Sequence, residues 1–295
     1  MSTDGERVQH VDPSFDLPTP GGVASALVHT STVDAAVAAA KVLTVVLLVD
    51  LALSPAIAVG GLMAFAIYAS NKLVDAEDEM NAPARARFVA RYRRELAAAT
   101  GVATVLALGL AATAGPLALA LTLLPAVAAV AYSVRLPVVD RRLKDVLGAS
   151  TLLVAVSWAL PTVALPIVWV DGAFTATAGV AFAFYLVQTA VAFEVRNVRD
   201  VAGDRAEGVR TLPVVFGTAS TRRFLYAVDA TALALYAAAT AAGVLPLAVG
   251  VVFGVATLAS VGVTRCVDTG RDDARICLLR DVNYGLVLLV VALAA

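Results

Sequence analysis

The sequence predicts an all-α polytopic membrane protein with nine membrane-spanning helices. Hydrophobic residues fill 60% of the 295 positions and charged residues 15%, and the mean hydropathy is +0.85, well outside the range of soluble domains. A hydrocarbon core about 30 Å thick needs roughly 20 apolar residues per helix, and nine stretches of that kind occur. The basic residues supply a third observation, because 20 of the 22 Lys and Arg fall in alternate connections or on the end residues of the stretches that border them.

In chain order, residues 1–33 open with "MSTDGERVQHVDPSFDLPTPGG", which is polar and punctuated by Pro and Gly. They lack the charged-then-apolar order of a signal peptide, so a disordered cytoplasmic tail is expected, followed by a single transmembrane domain over 34–295. The spans are expected at 34–53, 55–72, 96–114, 116–133, 146–166, 172–193, 222–241, 244–263 and 278–295. The two cysteines, Cys266 and Cys277, show no metal-ligand spacing and read as packing residues. His10 and His29, the two histidines, both lie in the tail, which argues against histidine acid–base chemistry or a histidine-rich metal centre.

The even-numbered connections hold all 20 of the basic loop residues; the odd ones, such as "TAGPLA" and "AAGVLP", hold none. By the positive-inside rule the even connections are cytoplasmic, with the N-terminus inside and the C-terminus outside. One missed or invented span would scatter arginines over both faces, so the alternation also checks the helix count. The expected location is a prokaryotic cell membrane.

Two acidic clusters stand on the cytoplasmic side. The first is "ASNKLVDAEDEMNAPARARF", residues 69–88, where Asn71 and Asp75 are four apart and Asp78 and Glu79 follow. The second is "FEVRNVRDVAGDRAEGVRTLP", residues 193–213, where Asn197, Asp200 and Asp204 are spaced by three and four. Such offsets project side chains from one face of a helix. Carboxylates and amides without His or Cys are hard oxygen ligands suited to Mg²⁺, which typically combines one or two carboxylates with substrate phosphate oxygens. Flanked by Arg and Lys, the clusters suggest a diphosphate held between metal ions, with the apolar bundle accepting a hydrocarbon tail. A lone Asp at a helix end is ordinarily just solvated; two matched clusters on one face argue otherwise. Lys41, Asp50 and Asp229 are ionisable groups in or near spans, where burial is costly and usually functional; Lys41 either points to the inner site or snorkels to the interface.

The paired clusters, with "GDRAEGVRTLP" after the second, resemble the UbiA superfamily of intramembrane prenyltransferases over nearly all of the chain after the tail. The resemblance implies nine transmembrane helices, two Asp-rich cytoplasmic motifs and a central cavity open to the lipid. Asn197, Asp200, Asp204, Arg205, Gly208 and Thr211-Leu212-Pro213 match the second motif closely. The first motif matches in part: Asn71 and Asp75 align, Lys72 stands where the family has an acid, and either Glu79 or Asp78 takes the third position. Tyr132 and Lys144 in "YSVRLPVVDRRLKD" match a third element on the loop after the fourth helix.

What the resemblance implies is transfer of a polyprenyl group from a polyprenyl diphosphate to a lipophilic or aromatic acceptor, with Mg²⁺ as cofactor. Asp75, Asp78 or Glu79, Asp200 and Asp204 would hold metal. Asn71 and Asn197 would add neutral ligands or orient carboxylates, and Lys144, Arg205 and Arg135 would grip the diphosphate near Tyr132. Membrane lipids are expected partners and nucleic acid is not. The rival readings are a transporter with an acidic cation site and a non-catalytic lipid binder of the same fold. Transporter sites usually lie near the bilayer midplane at broken helices, whereas these carboxylates lie at helix ends.

Overall fold

The structure, a computed structural model, describes residues 27, 29–74, 83–133, 135–136, 141–142, 146–206, 208–267 and 274–295, with the backbone alone at 83–85, 132–133, 135–136, 141–142 and 274–281. Each of the expected spans falls on a helix: α1 (Thr32–Leu48), α2 (Ala56–Val74), α4 (Arg93–Thr113), α5 (Pro116–Ser133), α6 (Ala149–Trp169), α7 (Ala176–Ala206), α9 (Thr218–Ala241), α10 (Leu247–Cys266) and α11 (Ala274–Ala294). Six of these are long and apolar enough to cross a membrane by length and composition. Two short helices, α3 (Pro83–Arg91) and α8 (Leu212–Phe216), sit in two of the arginine-rich connections. Pro83 opens α3, where its missing N–H costs nothing. A two-residue ladder, β1 (Arg135–Leu136) against β2 (Arg141–Arg142), pairs Arg135 with Arg142 and is the one departure from the all-α reading among the described residues. It folds the basic connection between α5 and α6 back on itself.

The long helices pack as a closed ring. Each touches the next in chain order, with α2 meeting α4 across α3 and α7 meeting α9 across α8, and α11 closes on α1. α1 and α6 also meet across the ring, and both contribute to each of two apolar cores. In one core Phe184 stacks on Phe253 with ring centroids 4.0 Å apart, and Tyr236 meets both rings edge-on. The other core is small-residue packing of α2, α4 and α5, in which close approach of backbones replaces the hydrophobic effect that lipid cannot supply. At Gly61 an added Cβ would lie 3.1 Å from the Ala35 carbonyl oxygen of α1, so glycine sets that approach. Outward side chains such as Val105, Val127, Val251 and Leu289 are exposed and apolar, as a lipid-facing surface requires.

α7 has 31 residues. At 1.5 Å per residue it is about 46 Å long, some 16 Å more than the hydrocarbon thickness. The sequence places the end of this span at 193, and the helix continues unbroken to Ala206. No Gly or Pro interrupts 194–202, and satisfied backbone hydrogen bonding lets the rod run out into water. The second acidic cluster therefore rides on a continuous helical extension rather than a loop.

Candidate active site

The rim and the interior of the ring meet at one end of the bundle. A central cavity of about 110 Å³ is lined by α1, α2, α6, α7 and α11. Its polar lining includes Asp34 and Lys41 of α1, Thr189 and Arg196 of α7, and Tyr284 of α11; its aromatic wall is Tyr68 and Trp158, stacked 5.3 Å apart and nearly parallel. Lys41 lies inside: its Nζ stands 3.8 Å from the Tyr284 ring centroid, a cation–π contact, and Tyr185 donates to the Lys41 carbonyl oxygen at 3.2 Å. Of the two positions left open for Lys41, the structure selects the inner one. Asp50 instead sits just past the opposite end of α1, exposed and with φ +53°, and Asp229 is fully buried within α9.

Above this cavity α7 presents the second cluster. Asp200 accepts a two-pronged hydrogen bond from its neighbour Arg199, 2.7 Å from Nε and 2.8 Å from Nη2, and about half of its side chain is exposed. Asp204 is partly buried and accepts from the Thr211 hydroxyl at 3.1 Å. The segment after it explains that contact. The amides of Gly208 and Val209 close onto the Arg205 and Asp204 carbonyls, with Gly208 at φ +72°, the left-handed turn that ends a helix and suits glycine. The chain then reverses, buries Thr211 against Asp204 and starts α8 with Pro213 in its first turn. Gly208, Thr211 and Pro213 thus shape the turn that steadies one carboxylate. Arg205 is exposed in the last turn of α7.

Asn197 is held from below. Its Nδ2 donates at 3.1 Å to Oε2 of Glu194, a carboxylate only 2% exposed, and the Thr151 hydroxyl in the first turn of α6 donates to Oε1 of the same group. Glu194, Thr151, Asp34 and Arg196 were not singled out by sequence reasoning. The available signal for Glu194 was a lone acid in the last apolar turn of a span, one helical turn before Asn197.

The first cluster is divided. Lys72, at the end of α2, forms an ion pair with Asp34 at 3.7 Å, tying α2 to the start of α1. Asn71, one residue back and about 100° around the helix, lines a separate apolar groove of about 470 Å³ between α2, α4 and α5. Asp75, Asp78 and Glu79 lie outside the described residues, as do Lys144 and the side chains of Tyr132 and Arg135. Within the described residues no three His, Cys, Asp or Glu side chains converge. The donors that are present fit Mg²⁺ by their chemistry: two carboxylates and an amide on one helix face, all oxygen, matching a cation that takes few protein ligands.

A helical membrane protein with a polar, aromatic-lined cavity beneath an acidic helix extension is the class that fold and site define. Its sequence matches the family model described as the UbiA prenyltransferase family over residues 26–284, and the chain belongs to that family. No curated protein matches it in sequence. Among solved structures it is similar to a UbiA homologue from Archaeoglobus fulgidus bound to GPP and Mg²⁺, at 15% identity and a TM-score of 0.63, covering 91% of this chain and 98% of that one. A second structure of a UbiA homologue from that organism gives a TM-score of 0.64 at 14% identity, covering 91% and 98%. A structure described for digeranylgeranylglyceryl phosphate synthase gives 0.61 at 14%, covering 92% and 97%. These likenesses show the fold.

Proposed function

We propose that the protein is a Mg²⁺-dependent polyprenyltransferase, moving the prenyl group of a polyprenyl diphosphate to a lipophilic or aromatic acceptor at the cytoplasmic face of a prokaryotic cell membrane. The observation that carries this is the placement of Asn197, Asp200 and Asp204 on the overlong α7, one, four and eight residues beyond Arg196, which lines the central cavity. Support also comes from family membership and from the GPP and Mg²⁺ bound to the Archaeoglobus fulgidus homologue. In this reading all nine long helices cross the membrane around a cavity open to lipid, with the N-terminus inside, the C-terminus outside and residues 1–33 as a cytoplasmic tail.

When bound, Mg²⁺ neutralises the charge that grows on the departing diphosphate. Asp200, Asp204 and Asn197 would hold it, with Asp75 and Asp78 or Glu79 from the first motif and Asn71 beside them. Arg205, Arg135 and Lys144 bind the diphosphate oxygens, and Tyr132 positions the same group. The allylic C–O bond breaks with its electron pair going to diphosphate; the acceptor then bonds to the allylic carbon and loses a proton. Tyr68, Trp158 and Tyr284 line the cavity, and the apolar ring keeps water from the cation.

The test uses purified protein and geranylgeranyl diphosphate, with and without Mg²⁺. Mg²⁺-dependent release of diphosphate, lost in Asp200→Ala and Asp204→Ala, is expected. Neither a transporter nor a lipid binder releases diphosphate, so its absence across a screen of acceptors overturns the reading.

A further inference from the structure

The metal reading of the second motif leaves one buried group without a task. Glu194 lies one turn before Asn197, is 2% exposed, and bridges α7 to α6 through two hydrogen bonds to different partners. Packing does not require it: a leucine fills similar volume, and a buried carboxylate is stabilising only when its hydrogen bonds are made. What it does is sort the two ends of the Asn197 amide. An amide presents one oxygen, which can ligate a hard cation, and one NH₂, which cannot. Both Glu194 oxygens accept here, Oε1 from Thr151 and Oε2 from the Asn197 NH₂, which leaves the amide Oδ1 as the end turned away from it. Thr151 in turn fixes Glu194, and Thr151 sits three residues after Gly148, whose φ of +75° starts α6 at the end of the basic connection carrying Arg135 and Lys144. The chain of contacts therefore runs from that connection, through Thr151 and Glu194, to Asn197.

We propose that Glu194 is a positioning residue: braced by Thr151, it orients the Asn197 amide so that its oxygen serves the cation held by Asp200 and Asp204. This rests on the metal reading given under Proposed function. Partners that orient a metal ligand typically change metal affinity about 10–100-fold when removed. A glutamine at 194 can keep the arrangement, its oxygen accepting from Asn197 and its NH₂ donating to Thr151, whereas leucine cannot.

The experiment measures Mn²⁺ binding by EPR in detergent-purified protein, together with melting temperature in the absence of metal. Glu194→Leu should weaken Mn²⁺ binding about tenfold and Glu194→Gln should restore it to within about threefold of the parent. Thr151→Val should weaken binding in the same direction and also lower the melting temperature, because it leaves a buried carboxylate oxygen without its donor, whereas Thr151→Ser, which keeps the hydroxyl, should leave both close to the parent's. In an Asn197→Leu background the Glu194 substitutions should have no further effect on Mn²⁺, because the group through which they act is gone. Equal loss with Gln and Leu, or a full additional loss in the Asn197→Leu background, would overturn the orienting role. Failure of the metal reading looks different: Asp200→Asn and Asp204→Asn would then bind Mn²⁺ like the parent.

Discussion

On the resemblance drawn from the sequence, Lys72 takes the place of an acid of the first motif, and placing an acid there should damage the protein rather than improve it. In the structure its ammonium lies 3.7 Å from Asp34, with the lysine side chain 15% and the aspartate 38% exposed. At an effective dielectric near 20 the Coulomb attraction at that distance is about 4 kcal/mol before desolvation. Measured couplings of such accessible pairs come to about 1 kcal/mol or less. Lys72→Asp removes the attraction and sets two carboxylates against each other, so the expected destabilisation is about 1–2 kcal/mol, the lost pair plus a repulsion of similar size. For a domain of this size that corresponds to a melting temperature lower by about 2–6 °C. The assay is a charge-swap cycle in detergent: Lys72→Asp, Asp34→Lys and the double variant. Each single change should lower the melting temperature, and the double variant should recover most of the loss, because the pair is rebuilt with its signs exchanged. A double variant as unstable as the two single effects added would refute the argument, since the two side chains would then not feel each other. A Lys72→Asp protein more stable than the parent, and binding Mn²⁺ more tightly, would place residue 72 in the metal site instead.

Asp200→Ala and Asp204→Ala should each abolish prenyl transfer at saturating Mg²⁺ while keeping the parent's melting temperature within about 2 °C, since both substitutions fall at partly exposed positions. The matching control is Asp171→Asn at the opposite end of the bundle, because Asp171 has φ +50° and asparagine tolerates that conformation better than alanine; it should retain full activity. In a variant lacking Cys266 and Cys277, a cysteine at exposed Ala202 should be labelled by a membrane-impermeant reagent only from the cytoplasm and one at exposed Ala242 only from outside; labelling of both from one side would remove a span between them. Gly250→Ala should destabilise by about 1–3 kcal/mol through overpacking, because its new Cβ overlaps Thr240 Oγ1 across the α9–α10 contact. Thr240→Ala should rescue it; a thermal melt of the single and double variants checks both.

Helix identity was legible in the sequence because a bilayer makes it a local property: each span must be long and apolar by itself, and every backbone group must be satisfied within its own segment. The sidedness of the basic residues and the spacing of Asn197, Asp200 and Asp204 are local in the same sense, and so is the resemblance they carry. The sequence by itself could not say that α11 closes on α1, nor that α7 runs on as one continuous helix to Ala206, since both depend on which neighbours a helix finds. Lys72 shows the limit most clearly. As a letter it is a missing acid, and only the meeting of α1 with α2 makes it the partner of Asp34, 38 positions away in the chain. Glu194 is the same case: 43 residues separate it from Thr151. Periodicity reports which face of a helix a residue occupies, but the partner on the facing helix is chosen by the packing of the whole ring. That is why the spacing of Asn197, Asp200 and Asp204 was legible in the chain, and the contacts their side chains make, with Glu194 and Thr211, were not.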